Sequence, residues 1–150
     1  MTSTITIRPP KASDKQAWLG HWQGYITFYE SSVADDITEA TWERLLEGKP
    51  NLFGFVACDE NGAVIGFVHC VTHLGTWETG KDCYLEDLFV DPAVRGRGAG
   101  RKLIESVIEK ARNEGWRKVY WKTSKNNVTA RTLYDRFTAV SDWVSYEIEI

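Results

Sequence analysis

The sequence predicts an α/β fold: one mixed, mostly antiparallel central sheet with helices on both faces and a parallel pair of strands at its centre. Three observations carry this. Residues 85–101 read as a β-prone run ending at Asp91-Pro92, a glycine-punctuated turn, and the start of a helix. Residues 52–58 and 64–71 are apolar runs joined by Asp59-Glu60-Asn61-Gly62, a turn sequence that makes an antiparallel hairpin. The helix after the glycine turn must cross over before the next β-prone run, residues 118–123, which therefore lies parallel to and beside the central strand.

Taken in order, residues 5–8 alternate and stop at Pro9-Pro10, a first strand. Ser13 is placed to cap a helix in which Trp18, Trp22, Tyr25 and Tyr29 recur at helical spacing with Leu19 and Ile26. A short helix over about 39–47 turns Trp42, Leu45 and Leu46 inward, with Thr38 as its cap. After the hairpin, the loop 74–82 carries Trp77, either tucked over a strand end or exposed. Regular alternation along residues 84–90 puts Glu86 on one face with Tyr84 and Leu88, and Asp87 on the other with Leu85 and Phe89. Leu103, Ile104, Val107, Ile108 and Ala111 are the apolar face of helix 102–112, which stops near Gly115. Asn126 or Asn127 opens the last helix, bearing Ala130, Leu133 and Tyr134. Residues 138–141 and 143–150 are expected to close the sheet; the final run alternates, with Val144, Tyr146, Ile148 and Ile150 to one side.

The chain has 150 residues, enough for one domain, 1–150, that buries about two-thirds of its unfolded surface. Composition is globular, and seven tryptophans promise an aromatic core or cleft. A net charge of −3 provides no field for nucleic acid. No apolar run approaches the roughly 20 residues of a membrane span, and the N-terminus has no secretory pattern, so a cytoplasmic protein without membrane partners is expected. Cys58, Cys70 and Cys83 stand in separate apolar strands and read as reduced core residues. His69 and His73 could share a strand face, but no third ligand accompanies them, and no metal is expected.

The turn is where the chemistry concentrates. Gly96, Gly98 and Gly100 let a ligand approach the main chain, and the N–H groups at the new helix N-terminus can point at phosphate oxygens. Arg95, Arg97 and Arg101 add positive charge suited to a pyrophosphate. A Rossmann fingerprint starting at Gly96 would need glycine where Arg101 stands, and the Gly-Lys-Ser/Thr of a Walker A motif is absent. What remains is Arg-x-x-Gly-x-Gly from Arg95 to Gly100. It resembles the acetyl-CoA-binding motif of the GNAT superfamily of N-acetyltransferases. A second segment, Asn127-x-x-Ala130-Arg131-x-Leu133-Tyr134, is similar to that family's Asn-x-x-Ala-x-x-Leu-Tyr stretch and follows in the same order.

The resemblance implies a GNAT-like sheet and acetyl-CoA as cosubstrate, with no metal. Its pyrophosphate would lie on Arg95, Gly96, Arg97, Gly98, Ala99, Gly100 and Arg101, its pantetheine arm along Leu88, Phe89 and Val90 and against Asn127 and Ala130. Tyr134 would occupy the general-acid position and protonate the leaving thiolate. Main-chain N–H groups at Phe89 and Val90 would polarise the thioester if that strand splays from its neighbour. Glu86 is the candidate base, taking the amine proton or orienting a cationic acceptor; Asp87 is the weaker substitute. The strand Leu-Glu-Asp-Leu-Phe-Val and Phe28-Tyr29-Glu30 look most similar to the branch acetylating diamines and polyamines, and to related yeast histone and polyamine acetyltransferases, so Tyr29 and Glu30 are expected to touch a small cationic amine. A protein lysine acceptor, or a non-catalytic acyl-CoA-binding module, are the alternatives; a homodimer is left open. One departure from the family is Arg136-Phe137-Thr138-Ala139, where many members have a Gly-Phe pair, and it bears on entry to the sixth strand.

Overall fold

The computed structural model describes residues 4–49 and 51–150. In chain order its elements are β1 (Thr6–Arg8), α1 (Lys15–Phe28), α2 (Asp35–Glu47), β2 (Leu52–Cys58), β3 (Val64–His73), β4 (Asp82–Val90), α3 (Ala99–Glu114), β5 (Lys118–Tyr120) and α4 (Val128–Tyr134). The strands form one five-stranded sheet in the order β1-β2-β3-β4-β5. Neighbours from β1 to β4 are antiparallel, and β4 with β5 is parallel, as a crossover through α3 requires. Among the described residues no helix is long and apolar enough to cross a membrane.

Each face of the sheet has its own core. On one side Trp18, Trp22 and Ile26 of α1 and Trp42 and Leu45 of α2 bury against Val56, Phe67 and Phe89. On the other, Leu103, Ile104 and Val107 of α3 bury against Val68, Cys70, Cys83 and Leu85. The three cysteines are free and buried. The β2–β3 hairpin turns as expected: Asp59 accepts hydrogen bonds from the Asn61 and Ala63 N–H groups, and Gly62 takes a φ of 81°. Gly115 closes α3 in the left-handed conformation, with its N–H on α3 carbonyls.

Several local expectations change. Ser13 does not cap α1. A 3-10 turn over Ala12–Asp14 precedes it, and the Asp14 carboxylate is occupied by the Arg8 guanidinium at 2.7 and 2.9 Å and the Lys11 N–H at 2.8 Å. Helix α2 begins at Asp35, because Asp35 and Asp36 favour a helix N-terminus; Thr38 is inside it, accepting from Trp22 Nε1 at 3.1 Å. Of the two readings left open for Trp77, the exposed one holds, at 87%. Residues 138–150 form no strand, and β5 ends at Tyr120, so the sheet lacks the two closing strands that the alternation suggested.

The alternation along β4 is also broken. Cys70 pairs with Leu85 and His69 with Asp87, leaving Glu86 as the extra residue of a β-bulge. Side-chain parity flips there: Cys83 and Leu85 before the bulge, and Leu88 and Val90 after it, face α3 together. Asp87 meets His69, and Phe89 packs into the α1–α2 core, on the face opposite Leu85.

Candidate active site

The parallel pair is short. β4 and β5 pair from Asp82 with Lys118 to Tyr84 with Tyr120, and β5 then ends. From Leu85 to Val90 the outer edge of β4 has no strand beside it among the described residues, so main-chain groups pointing away from β3 are available to a ligand. The glycine turn begins where this edge ends. Asp91 accepts the Ala93 N–H at 3.0 Å in a 3-10 turn over Pro92–Val94. Gly96 and Gly98 follow at φ 87° and 83°, a region that favours glycine, and Gly98 is the N-cap of α3 with no side chain covering the helix end. Gly96 and Gly98 are exposed.

The arginines of the turn divide. Arg97 is paired with Glu60 of the hairpin at 2.5 Å, and Arg101 with Glu105 one helical turn on at 2.8 Å. Arg95 makes no ion pair among the described residues and lies exposed. Ala99 is buried under the helix start. A Cβ on Gly100 would stand 3.3 Å from Leu133 Cδ2 and 3.7 Å from Val90 Cγ2, so the turn, the end of β4 and α4 converge at this glycine. Leu88 and Val90 pack at the margin of the α3 core, and Phe89 is buried on the opposite face.

Asn127 opens α4: its side-chain oxygen accepts the Ala130 N–H at 3.2 Å, which holds both residues at the helix start and leaves the amide NH2 for another partner. Tyr134 is at the other end of α4, half-buried against Trp121 at 5.5 Å between ring centroids. Burial, then the neighbouring Tyr29, pushes its hydroxyl up to about 12, so it carries its proton throughout the neutral range. Tyr29 packs edge-on against Tyr25 at 5.0 Å. Glu30 adopts φ 53°, the left-handed residue after α1, with its N–H on the Thr27 carbonyl and the next N–H, of Ser31, on Ile26. It is exposed, and its backbone position is one that most side chains avoid.

Glu86 is thrust outward by the bulge and exposed. Desolvation and then the charge of Asp87 raise its carboxyl, opposed by His69. Asp87 itself is bound inward, and this is what sequence reasoning missed. Trp18 Nε1 donates to His69 Nε2 at 3.0 Å, so that nitrogen is the acceptor and Nδ1 holds the ring proton, which it donates to Asp87 at 2.9 Å. Tyr25 also lies near Asp87; burial, then the charge of this carboxylate, raises the tyrosine strongly. Asp87 is half-buried and held by His69, whereas Glu86 is exposed. The signal was there in part: Trp18 and Tyr25 share the α1 face, but nothing in the sequence pairs them with His69. His73 instead bridges the Leu74 carbonyl at 3.0 Å and the Tyr120 hydroxyl at 2.8 Å.

A model of the "Acetyltransferase (GNAT) family" matches residues 17–138. The chain is 33% identical over 144 residues to the D-amino-acid N-acetyltransferase HPA3 of Saccharomyces cerevisiae, covering 95% of this chain and 89% of that one. It is 33% identical over 96 residues to the thialysine N-epsilon-acetyltransferase of Mus musculus, covering 60% of this chain and 55% of that one. Among solved structures, the aminoglycoside N-acetyltransferase AAC(6')-Iy in complex with CoA superposes with a TM-score of 0.82 at 23% identity, over 99% of this chain and 97% of that one. The fold and the motifs agree with these likenesses: the chain belongs to the acetyltransferase (GNAT) family and is an acetyl-CoA-dependent N-acetyltransferase.

Proposed function

We propose that the chain transfers the acetyl group of acetyl-CoA directly to the primary amine of a small cationic acceptor, a diamine or polyamine, with the cosubstrate lying in the opening beside β4. The observation that carries this is the loss of β5 after Tyr84, where the bare edge of β4, the glycine turn and the start of α4 come together. The pyrophosphate takes the free N–H groups at the α3 N-terminus, with Arg95 as the unengaged cation. Arg97 and Arg101, already held by Glu60 and Glu105, contribute a diffuse positive field. The pantetheine arm runs along Leu88–Val90 and takes the Asn127 amide.

An alkyl amine with a pKa near 10.4 is only ~0.1% neutral at pH 7.4, a deficit of about 4 kcal/mol that a base or desolvation must offset. The neutral nitrogen attacks the thioester carbonyl carbon, whose oxygen is polarised by main-chain N–H groups near Phe89 and Val90. Glu86, its proton affinity raised by desolvation, takes the proton lost from nitrogen. The carbon–sulfur bond breaks, and Tyr134 gives its proton to the departing sulfur. Asp87, held by His69, lies next to Glu86 and helps to steady the cationic acceptor.

Acceptor class is tested at the mouth. Glu30, at the end of α1, is the acidic residue proposed to hold the second charge of a diamine, with Tyr29 against its carbon chain; Asp35 and Asp36 sit at the start of α2, where Asp36 already accepts the Ile37 N–H at 3.0 Å. Glu30→Gln should raise KM for a diamine far more than for a monoamine of equal length, while Glu86→Gln lowers kcat for both and moves the optimum to higher pH. Equal effects of Glu30→Gln on both amines remove the polyamine assignment. A D-amino acid is then the better acceptor, as the 33%-identical yeast relative suggests, with protein lysine behind it.

A further inference from the structure

The two cores fix both ends of the bulge in β4 and leave its middle undecided. Leu85, opposite Cys70, and Leu88, opposite Val68, pack toward α3, and Phe89 is buried on the other face. Between Leu85 and Leu88 stand two acids, Glu86 and Asp87, and opposite them β3 offers one residue, His69. Apolar packing therefore requires that one acid pair and the other be extra. It does not choose between them, because Leu85, Leu88 and Phe89 would keep their partners and their faces with either acid unpaired.

Hydrogen bonds make the choice. His69 Nδ1 donates to Asp87 Oδ2 at 2.9 Å, with the two side chains 5% and 15% exposed. The imidazole is not free to turn away from this bond. Trp18 Nε1, which can only donate, occupies His69 Nε2 at 3.0 Å and leaves the ring proton on Nδ1, facing Asp87. Phe67 stacks on the ring at 4.4 Å between centroids, and Trp22 tilts against it at 5.3 Å. The donor thus has one position, and the residue directly across from it is Asp87. A carboxylate drawn this far out of water without a donor is costly, so the bond keeps Asp87 inward. Glu86, left over, is the acid that stands exposed beside the opening.

We propose that His69 is a positioning residue for acetyl transfer: held by Trp18 and bonded to Asp87, it selects which of two adjacent acids is bulged and so aims Glu86 at the acceptor amine. Its effect reaches the reaction only through Glu86, and the role presupposes that Glu86 is the base.

The experiment combines NMR of the imidazole nitrogens with kinetics on single and double variants. The unmodified chain should show the Nδ1-protonated tautomer of His69, and Trp18→Phe a mixture of tautomers; an Nε2-protonated ring in the unmodified chain overturns the proposal. Turnover is followed by thiol release from acetyl-CoA with spermidine or D-alanine, whichever reacts faster. His69→Leu, which fills the site without a donor, should lower kcat ~10- to 100-fold while the calorimetric Kd for acetyl-CoA is unchanged. His69→Asn, whose amide N–H stands near the place of Nδ1, should recover most of that loss. Trp18→Phe, which keeps an aromatic ring without the N–H, should lower kcat less, and it carries the comparison if His69→Leu does not fold. In a Glu86→Gln chain neither change should add a further loss. Full turnover in His69→Leu beside a slow Glu86→Gln chain overturns the proposal and leaves Glu86 standing as the base. Equal losses with and without Glu86 overturn it too, as does His69→Asn as slow as His69→Leu. Unchanged turnover in Glu86→Gln removes the base, and this role of His69 with it.

Discussion

Strands β2, β3 and β4 and the flank made by β5 and α4 both turn apolar side chains toward the layer of α3, but they are covered to different degrees. Val68, Cys70, Cys83 and Leu85 are buried against Leu103, Ile104 and Val107. Trp121, Leu133 and Tyr134 stay half-open, on elements joined to the sheet by a short ladder and by the approach of Leu133 to Gly100. The difference teaches how an acetyl donor can be admitted. The part that leads into the glycine turn is buried and paired with β3 along its length, while the part that carries Asn127 and Tyr134 is less covered and has freedom to adjust.

The largest effect should be on the closed side. Leu103 is fully buried, and Leu103→Ala is expected to cost about 2–5 kcal/mol by urea denaturation, whereas Leu133→Ala should cost about 1 kcal/mol because less of its surface leaves water on folding. Equal losses would mean that α4 is as firmly held as α3. Next, Tyr134→Phe should leave acetyl-CoA affinity unchanged by calorimetry and lower turnover ~10²-fold, about 2.7 kcal/mol in the barrier. Wild-type turnover at every pH would assign the sulfur's proton to another group.

The smallest effect concerns the clamp between the two regions. Asp82, at the start of β4, accepts Arg117 at 2.8 Å through both oxygens, with Lys118 at 3.9 Å; the Arg117 hydrogen bonds hold its carboxyl below the usual 3.8. Arg8 does the same for Asp14 on the far side of the sheet. A depressed carboxyl contributes stability that is whole above its ordinary pKa and disappears as pH falls through the lower folded value. Stability should therefore drop below about pH 4, and hydrogen exchange should show β5 opening before β3 as the Asp82 clamp protonates. Asp82→Asn should flatten the difference; if β3 and β5 open together in the unmodified chain, Asp82 is not what joins the regions.

Much of this was legible because it rests on local chemistry. Asp59-Glu60-Asn61-Gly62 fixes a hairpin through its own turn hydrogen bonds, and the glycines at 96, 98 and 115 stand where the backbone needs positive φ. At the candidate site the same local chemistry accounts for the glycine turn and for the Asn127 cap of α4. The rest depends on partners far away in sequence. Ser13 was a plausible cap until Arg8 and Asp14 took over the helix start. The alternation of residues 144–150 is real strand chemistry, but alternation does not name the edge that a strand joins. His69 and Asp87 are joined only by the bulge between their strands, which no count along one strand reveals.

That bulge separates two messages carried by one strand. With Glu86 omitted, Leu85, Asp87, Leu88, Phe89 and Val90 would alternate without a break and keep the partners they have now on β3. The residue is an insertion that the sheet does not read. A chain lacking Glu86 should therefore fold with native near-ultraviolet circular dichroism and bind acetyl-CoA, yet turn over little amine; loss of the fold would show that the sheet depends on it. The residue proposed as the base is punctuation between two phrases of sheet, free to be replaced by another residue without rewriting either.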